Sequence, residues 1–300
     1  MSNQHSNLRY PDFLIIGAMK SGTTTLAFDL ETHPQITFPG GKEVGDLVSQ
    51  DILTDEGRMN YGNVFSETPR EILVGDADPR YTYKKSVDTA RNALQICGKD
   101  LKLIYIMRNP IKRAISHHTH FYQRGASSAD ASKELLADDL YVDFSRYAYQ
   151  LQFWLEHFDR KNFLFLQFED YVSDRKAGYE RVVRHLGLEP QPDFLNERIL
   201  NQAKDKRLPT VAHRLPGPLV RKLRSIAPRA LPKPILETFK KLVSRPAPPP
   251  PKAPNKETLR QLACRFSPDL EQLKSLLGEE MPHWDIEKTI EELCQDDQKS

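Results

Sequence analysis

A lysine, a glycine and four hydroxyl residues stand together at Lys20-Ser21-Gly22-Thr23-Thr24-Thr25, directly behind the apolar run Phe13-Leu14-Ile15-Ile16. A buried-type strand that turns at once into a helix leaves backbone N–H groups without intrahelical partners, and the helix dipole adds partial positive charge at the same end. Lys20 brings a full charge beside them. The chemistry these residues suit is capture of a phosphate or a sulfonate. A second apolar run, Leu101-Lys102-Leu103-Ile104-Tyr105-Ile106-Met107, ends in Arg108-Asn109-Pro110 and so places another cation at a strand end.

Gly17 and Gly22 have the spacing of the ATP-binding loop G-x-x-x-x-G-K-[ST], yet Thr23 occupies its lysine position and Lys20 comes before the glycine. ATP sites of that type hold magnesium through a loop hydroxyl and an acidic residue at a neighbouring strand end. Here that end carries Arg108. The pair of sites therefore favours a second anionic group over a metal ion, and no metal ligands are expected.

The two segments together resemble the signatures of sulfotransferases that use 3′-phosphoadenosine 5′-phosphosulfate (PAPS). Lys20-Ser21-Gly22-Thr23-Thr24 is similar to the family's K-x-G-T-[TR] loop, which cradles the 5′-phosphosulfate. Arg108-Asn109-Pro110-Ile111-Lys112-Arg113-Ala114-Ile115-Ser116 is similar to R-[DN]-P-x-x-R-x-x-S. The resemblance implies that Arg108 and Ser116 bind the donor's 3′-phosphate, and that Lys20, Ser21, Gly22, Thr23, Thr24 and Thr25 hold its other end. It extends to Leu30–Ile36 followed by Lys42-Glu43, to Gly75-Asp76-Ala77-Asp78-Pro79-Arg80-Tyr81, to Tyr147–Asp170 and to Leu276-Leu277-Gly278 with Trp284. Bacterial soluble enzymes and glycosaminoglycan sulfotransferase domains share this layout.

The implied reaction moves a sulfonate from PAPS to an acceptor hydroxyl, leaving adenosine 3′,5′-bisphosphate (PAP). Lys20 is expected to stabilise charge on the leaving phosphate, and Glu43 is the candidate base. One of His117, His118 and His120 is an alternative base, whereas a capping or packing role is expected for His33. Relatives continue K-E-x-H-F-F where this chain reads Lys42-Glu43-Val44-Gly45-Asp46-Leu47, so the acceptor does not carry over. Saccharide, lipid, phenol and hydroxylated metabolite all remain open. Two rivals are an ATP-dependent small-molecule kinase and a non-catalytic PAPS- or PAP-binding protein.

These residues must be positioned by alternating strands and helices. Strands are read at Asp12–Ala18, Leu101–Met107 and Asn162–Phe168, with a helix at Thr23–Thr32 and another beginning at Asn109-Pro110. Tyr147, Leu151, Trp154, Leu155 and Phe158 form one helical stripe. Glu169-Asp170 is expected to cap or brace the element that follows. The expected fold is α/β, a P-loop-like parallel sheet covered by helices on both faces, with ligands at the strands' carboxyl ends. It forms a single domain over 11–300 behind a loose N-terminus at 1–10.

Composition is that of an ordinary globular chain: 300 residues, 39% hydrophobic, 28% charged, net charge +2. Three cysteines without metal spacing argue against a disulfide scaffold and for a reducing compartment. With no spanning apolar run and no signal-peptide core, a cytoplasmic protein without a nucleic-acid partner is expected. Residues 204–260 carry fifteen lysines and arginines against three acidic residues. A basic arm at 204–245 precedes a proline-rich spacer at 246–254 and a helix near 257–277. Leu219, Val220, Leu223 and Ile226 interleave with basic residues as in a short interfacial helix, which allows weak membrane-surface contact; a solvated cover is the simpler reading. Lys204, Lys206 and Arg207 are further candidates for closing over the 3′-phosphate.

Overall fold

The computed structural model describes residues 8–41, 44–83, 88–192, 195, 207–209, 244–278 and 282–297. Along the chain run β1 (Phe13–Gly17), α1 (Thr23–Leu30), β2 (Ile36–Thr37), α2 (Asp55–Asn63), β3 (Leu73–Ala77), α3 (Thr89–Cys97), β4 (Lys102–Met107) and α4 (Pro110–Gln123). Next come α5 (Ala131–Ala137), α6 (Leu140–Asp143), α7 (Tyr147–Leu155), β5 (Phe163–Gln167), α8 (Phe168–Ser173) and α9 (Arg175–His185). The last elements are β6 (Arg207–Pro209), β7 (Ser244–Pro246), α10 (Lys256–Leu277) and α11 (Ile286–Asp297).

The central sheet has the order β2-β3-β1-β4-β5, and every pairing in it is parallel. Successive residues of a strand point to opposite faces. Leu14 and Ile16 of β1 join Leu103, Tyr105 and Met107 of β4 on one face, under Ala90, Ala93, Leu151, Trp154, Leu273 and Leu277. Phe13 and Ile15 join Ile104 and Ile106 on the other face, under Leu26, Leu30, Tyr179 and Val182. A strand buried on both sides needs an unbroken apolar run, which is why β1 and β4 were legible. The α/β expectation holds.

Element ends follow local chemistry. The Asn109 side chain accepts from the N–H groups of Ile111 (3.1 Å) and Lys112 (3.2 Å), and Pro110 takes the first helical position of α4. The stripe read from Tyr147 to Phe158 is shorter as a helix: α7 stops at Leu155, and Phe158 is buried beyond its end, stacked on Trp154. The start of α7 is capped from a distance, since Asp269 of α10 accepts from the N–H groups of Ala148 (3.0 Å) and Tyr149 (2.9 Å). Burial raises the pKa of that carboxyl group, and the backbone N–H groups it accepts oppose the shift. Residues 247–255 form neither helix nor strand; the Pro248 carbonyl accepts from Gln123 (2.9 Å) and the Asn255 N–H donates to Ser132 (2.9 Å).

Candidate active site

The register of β1 with β4 brings their two following loops together. Ala18 N–H donates to the Ile106 carbonyl at 2.7 Å, and the Arg108 guanidinium donates to the Lys20 carbonyl at 3.3 Å. Two segments 88 residues apart thus share one end of the sheet.

In the first loop, Lys20 has φ 68° and Gly22 has φ 87°. The first intrahelical bond of α1 runs from Leu26 N–H to the Gly22 carbonyl (3.0 Å), so the helix itself uses none of the N–H groups from Gly22 to Thr25. The N-cap residue, Gly22, offers no side chain to cap this end. Ser21, fully buried, lies near the Tyr147 phenol without completing a hydrogen bond to it. An anion-sized group in the cradle would give that hydroxyl its partner.

The second loop is built more heavily. The Tyr147 hydroxyl donates to the Arg108 carbonyl (2.7 Å), and burial pushes its pKa up to about 12. Arg108 Nε is buried and has no hydrogen-bond partner among the described residues, an exception among buried polar groups. Burial lowers the Arg108 pKa, and Glu169 opposes that. Ser116 lies half-buried two turns into α4.

Phe168, read at first only as a strand end, links the two loops. Its ring lies 4.9 Å from the Arg108 guanidinium carbon, and a Cβ added at Gly22 would stand 2.7 Å from the same ring. Gly22 is therefore required twice, for its left-handed backbone and for this close approach. Glu169 is a correction. It braces two segments distant in the chain rather than the element that follows, accepting from Asn109 N–H at the start of α4 (3.0 Å) and from the Trp284 indole (3.1 Å). The only expectation signal for Trp284 was its place in the late resemblance.

His117 and His118 need correction as alternative bases, whereas His120 is half-buried beside Phe121. His117 and His118 are fully buried. His117 is enclosed by Phe121, Tyr141 and Phe144, and burial, with Arg113 next in effect, holds its pKa down to about 2. His118 faces the Ser128 carbonyl at 3.0 Å. His33 packs as expected, between the Glu189 carbonyl and Gln35 N–H.

Gly45, within the stretch where this chain departs from the resemblance, touches an ion pair. Asp78, fully buried at the end of β3, pairs with Arg80 through Nε (2.9 Å) and Nη2 (2.5 Å). Gly45 (φ 73°) sits directly on that pair, where a Cβ would be 2.1 Å from Arg80 and 2.7 Å from Asp78. Lys42, Glu43, Lys204, Lys206 and all of the basic arm but Arg207–Pro209 and Ser244–Arg245 lie outside the described residues. Among the described residues no group of three or more His, Cys, Asp or Glu side chains is arranged to hold a metal ion, and no helix is long and apolar enough to cross a membrane.

Comparison with known proteins agrees with this geometry. The family described as "Sulfotransferase domain" matches residues 10–215. Heparan sulfate glucosamine 3-O-sulfotransferase 3B1 of Homo sapiens is 28% identical over 193 residues, covering 59% of this chain and 46% of that protein. Membrane-associated sulfotransferase kil1 of Dictyostelium discoideum is 33% identical over 111 residues, 37% of this chain and 23% of that protein. The chain thus spans less than half the length of these curated relatives. Among solved structures, a sulfotransferase from Alicyclobacillus acidocaldarius superposes with a TM-score of 0.60 at 21% identity, covering 90% of this chain and 96% of that one, and shares the fold.

Proposed function

The chain belongs to the sulfotransferase family, and we propose on that premise that it transfers a sulfonate from PAPS to a hydroxyl of a saccharide-like acceptor. The observation that carries the donor is the contact between two cationic loops, each with a buried polar atom awaiting a partner: Ser21 Oγ in one and Arg108 Nε in the other. The acceptor class follows the names of the relatives, several of which act on heparan sulfate glucosamine.

The bound donor supplies an activated sulfonate on a phosphate leaving group. Lys20 and the N–H groups of Gly22 to Thr25 would meet the charge that builds on that phosphate as its bond to sulfur breaks. Arg108 and Ser116 would hold the 3′-phosphate and so fix the nucleotide along the β1–β4 edge. Glu43 would take the proton of the acceptor hydroxyl as its oxygen bonds to sulfur. The unpaired thiols of Cys97, Cys264 and Cys294 support a reducing, cytoplasmic setting.

Calorimetry without magnesium tests the donor site. PAP binds the wild type, and Arg108→Glu abolishes that binding. Glu43→Gln keeps PAP affinity and loses turnover by roughly 10²–10⁴-fold, followed as a gain of about 80 Da, the mass of SO₃, on a heparan sulfate oligosaccharide in the presence of PAPS. Unchanged turnover would move the base to another residue; absent PAP binding would remove the donor assignment altogether.

A further inference from the structure

Arg113 lies fully buried one turn into α4, and its hydrogen-bond partners among the described residues are neutral. Its Nε donates to the Ser145 hydroxyl, one terminal nitrogen to the Tyr141 carbonyl, and the other faces His117 Nδ1 at 3.3 Å. Among the described residues no carboxylate lies within ion-pair distance of it. Two other buried charges in this fold are matched: Arg9 has Asp12 at 2.8 Å, and the buried Asp29 carboxylate is met by Arg175. A buried guanidinium without a counter-charge is costly to fold.

The charges that surround Arg113 make the imbalance larger. Burial draws its pKa down to about 10, so it stays cationic at neutral pH, and Arg108 lies close enough to repel it. The neighbouring His117 senses both Arg113 and Lys20. Three cations, Lys20, Arg108 and Arg113, therefore converge on the shared end of β1 and β4. Arg108 has an acidic neighbour, Glu169, and that carboxylate already accepts two hydrogen bonds.

We propose that Arg113 is a positioning residue for the donor's 3′-phosphate, acting through space as a third cation that never touches the nucleotide. Its burial keeps water from screening the charge, and the phosphate supplies the counter-charge the fold withholds. For a separation of about 9 Å at an effective dielectric of about 20, such a pair would gain a factor of roughly 20 in binding. The proposal rests on the assignment of the 3′-phosphate to Arg108 and Ser116.

The test compares two nucleotides that differ only in that phosphate, PAP and adenosine 5′-phosphate, by calorimetry on three variants. Arg113→Gln removes the charge and keeps hydrogen-bond donors; Arg113→Met fills the space without either; Arg113→Lys keeps the charge. PAP affinity is expected to fall roughly 10- to 30-fold in the Gln and Met proteins, with adenosine 5′-phosphate changing less than about threefold. The Lys protein should keep the wild-type preference. Equal losses for both nucleotides would make Arg113 a structural staple and overturn the proposal, as would a preference that survives in whichever neutral variant folds. A wild type that does not distinguish the nucleotides overturns the 3′-phosphate assignment itself, and the role of Arg113 with it.

Discussion

Asp76 on β3 is fully buried, and its Oδ2 accepts from the hydroxyls of Tyr61 (2.9 Å) and Tyr81. Burial holds its pKa up at about 6, against an ordinary value near 4, although the two tyrosines pull the other way. The folded chain therefore binds this proton more tightly than the unfolded chain does. Stability contributed by the protonated group is complete below about pH 4 and is lost as pH rises towards 6, by about 3 kcal/mol at most. Asp76→Asn should remove that slope, seen as urea midpoints that decline less between pH 4.5 and 7 than those of the wild type. Parallel pH profiles would show that Asp76 titrates alike in both states. At this scale Lys20, Gly22 and Arg108 were legible because anion capture demands particular residue types at strand ends. Glu169 was misread because its hydrogen-bond partners lie 60 and 115 residues away, and Phe168 because ring contacts leave no pattern in the chain.

The turn at Asp46–Val48 shows how an element is held by something outside itself. Gly45 precedes it in a left-handed conformation on the Asp78–Arg80 pair, and the Leu47 carbonyl accepts from Asn92 (3.0 Å). Gly45→Ala is expected to destabilise the protein by about 1–2 kcal/mol from backbone strain alone, with the Arg80 clash added. Arg80→Ala should relieve the second part, so the double variant loses less than the two single losses added together. Strict additivity in thermal melts would mean that Gly45 does not rest on the pair. Strands β1, β4 and β5 were read to within a residue or two because their runs are apolar almost throughout, whereas β3, with Gly75 and Asp76 inside it, was not read as a strand. The segment 37–75 was not, since its short 3-10 turns, two-residue strand and weakly amphipathic α2 carry no periodic signal. The capping of α7 by Asp269 was equally hidden, because its partners come from 120 and 121 residues away.

At the scale of the whole molecule, the late helix is part of the interior. Leu273 and Leu277 of α10 enter the core over one sheet face, while Leu259, Leu262 and Phe266 join Ile111, Leu135 and Tyr141 in a separate cluster. The helix itself was expected from the sequence; its two destinations were not, because a stripe tells that a face is covered and not by what. Beyond α10, Trp284 packs 5.6 Å from Tyr147 and reaches Glu169, so the C-terminal segment also steadies the second cationic loop. Chain continuity between Pro209 and Ser244 is then not what keeps α10 in place. A chain opened by an engineered protease site in that interval should migrate in size exclusion as one particle and still take up PAP. Separation of the halves in native buffer would show that the covalent link, rather than the shared interior, joins them. If they stay together, the interior shared by α10 and the sheet is enough to hold the two parts once the chain has folded.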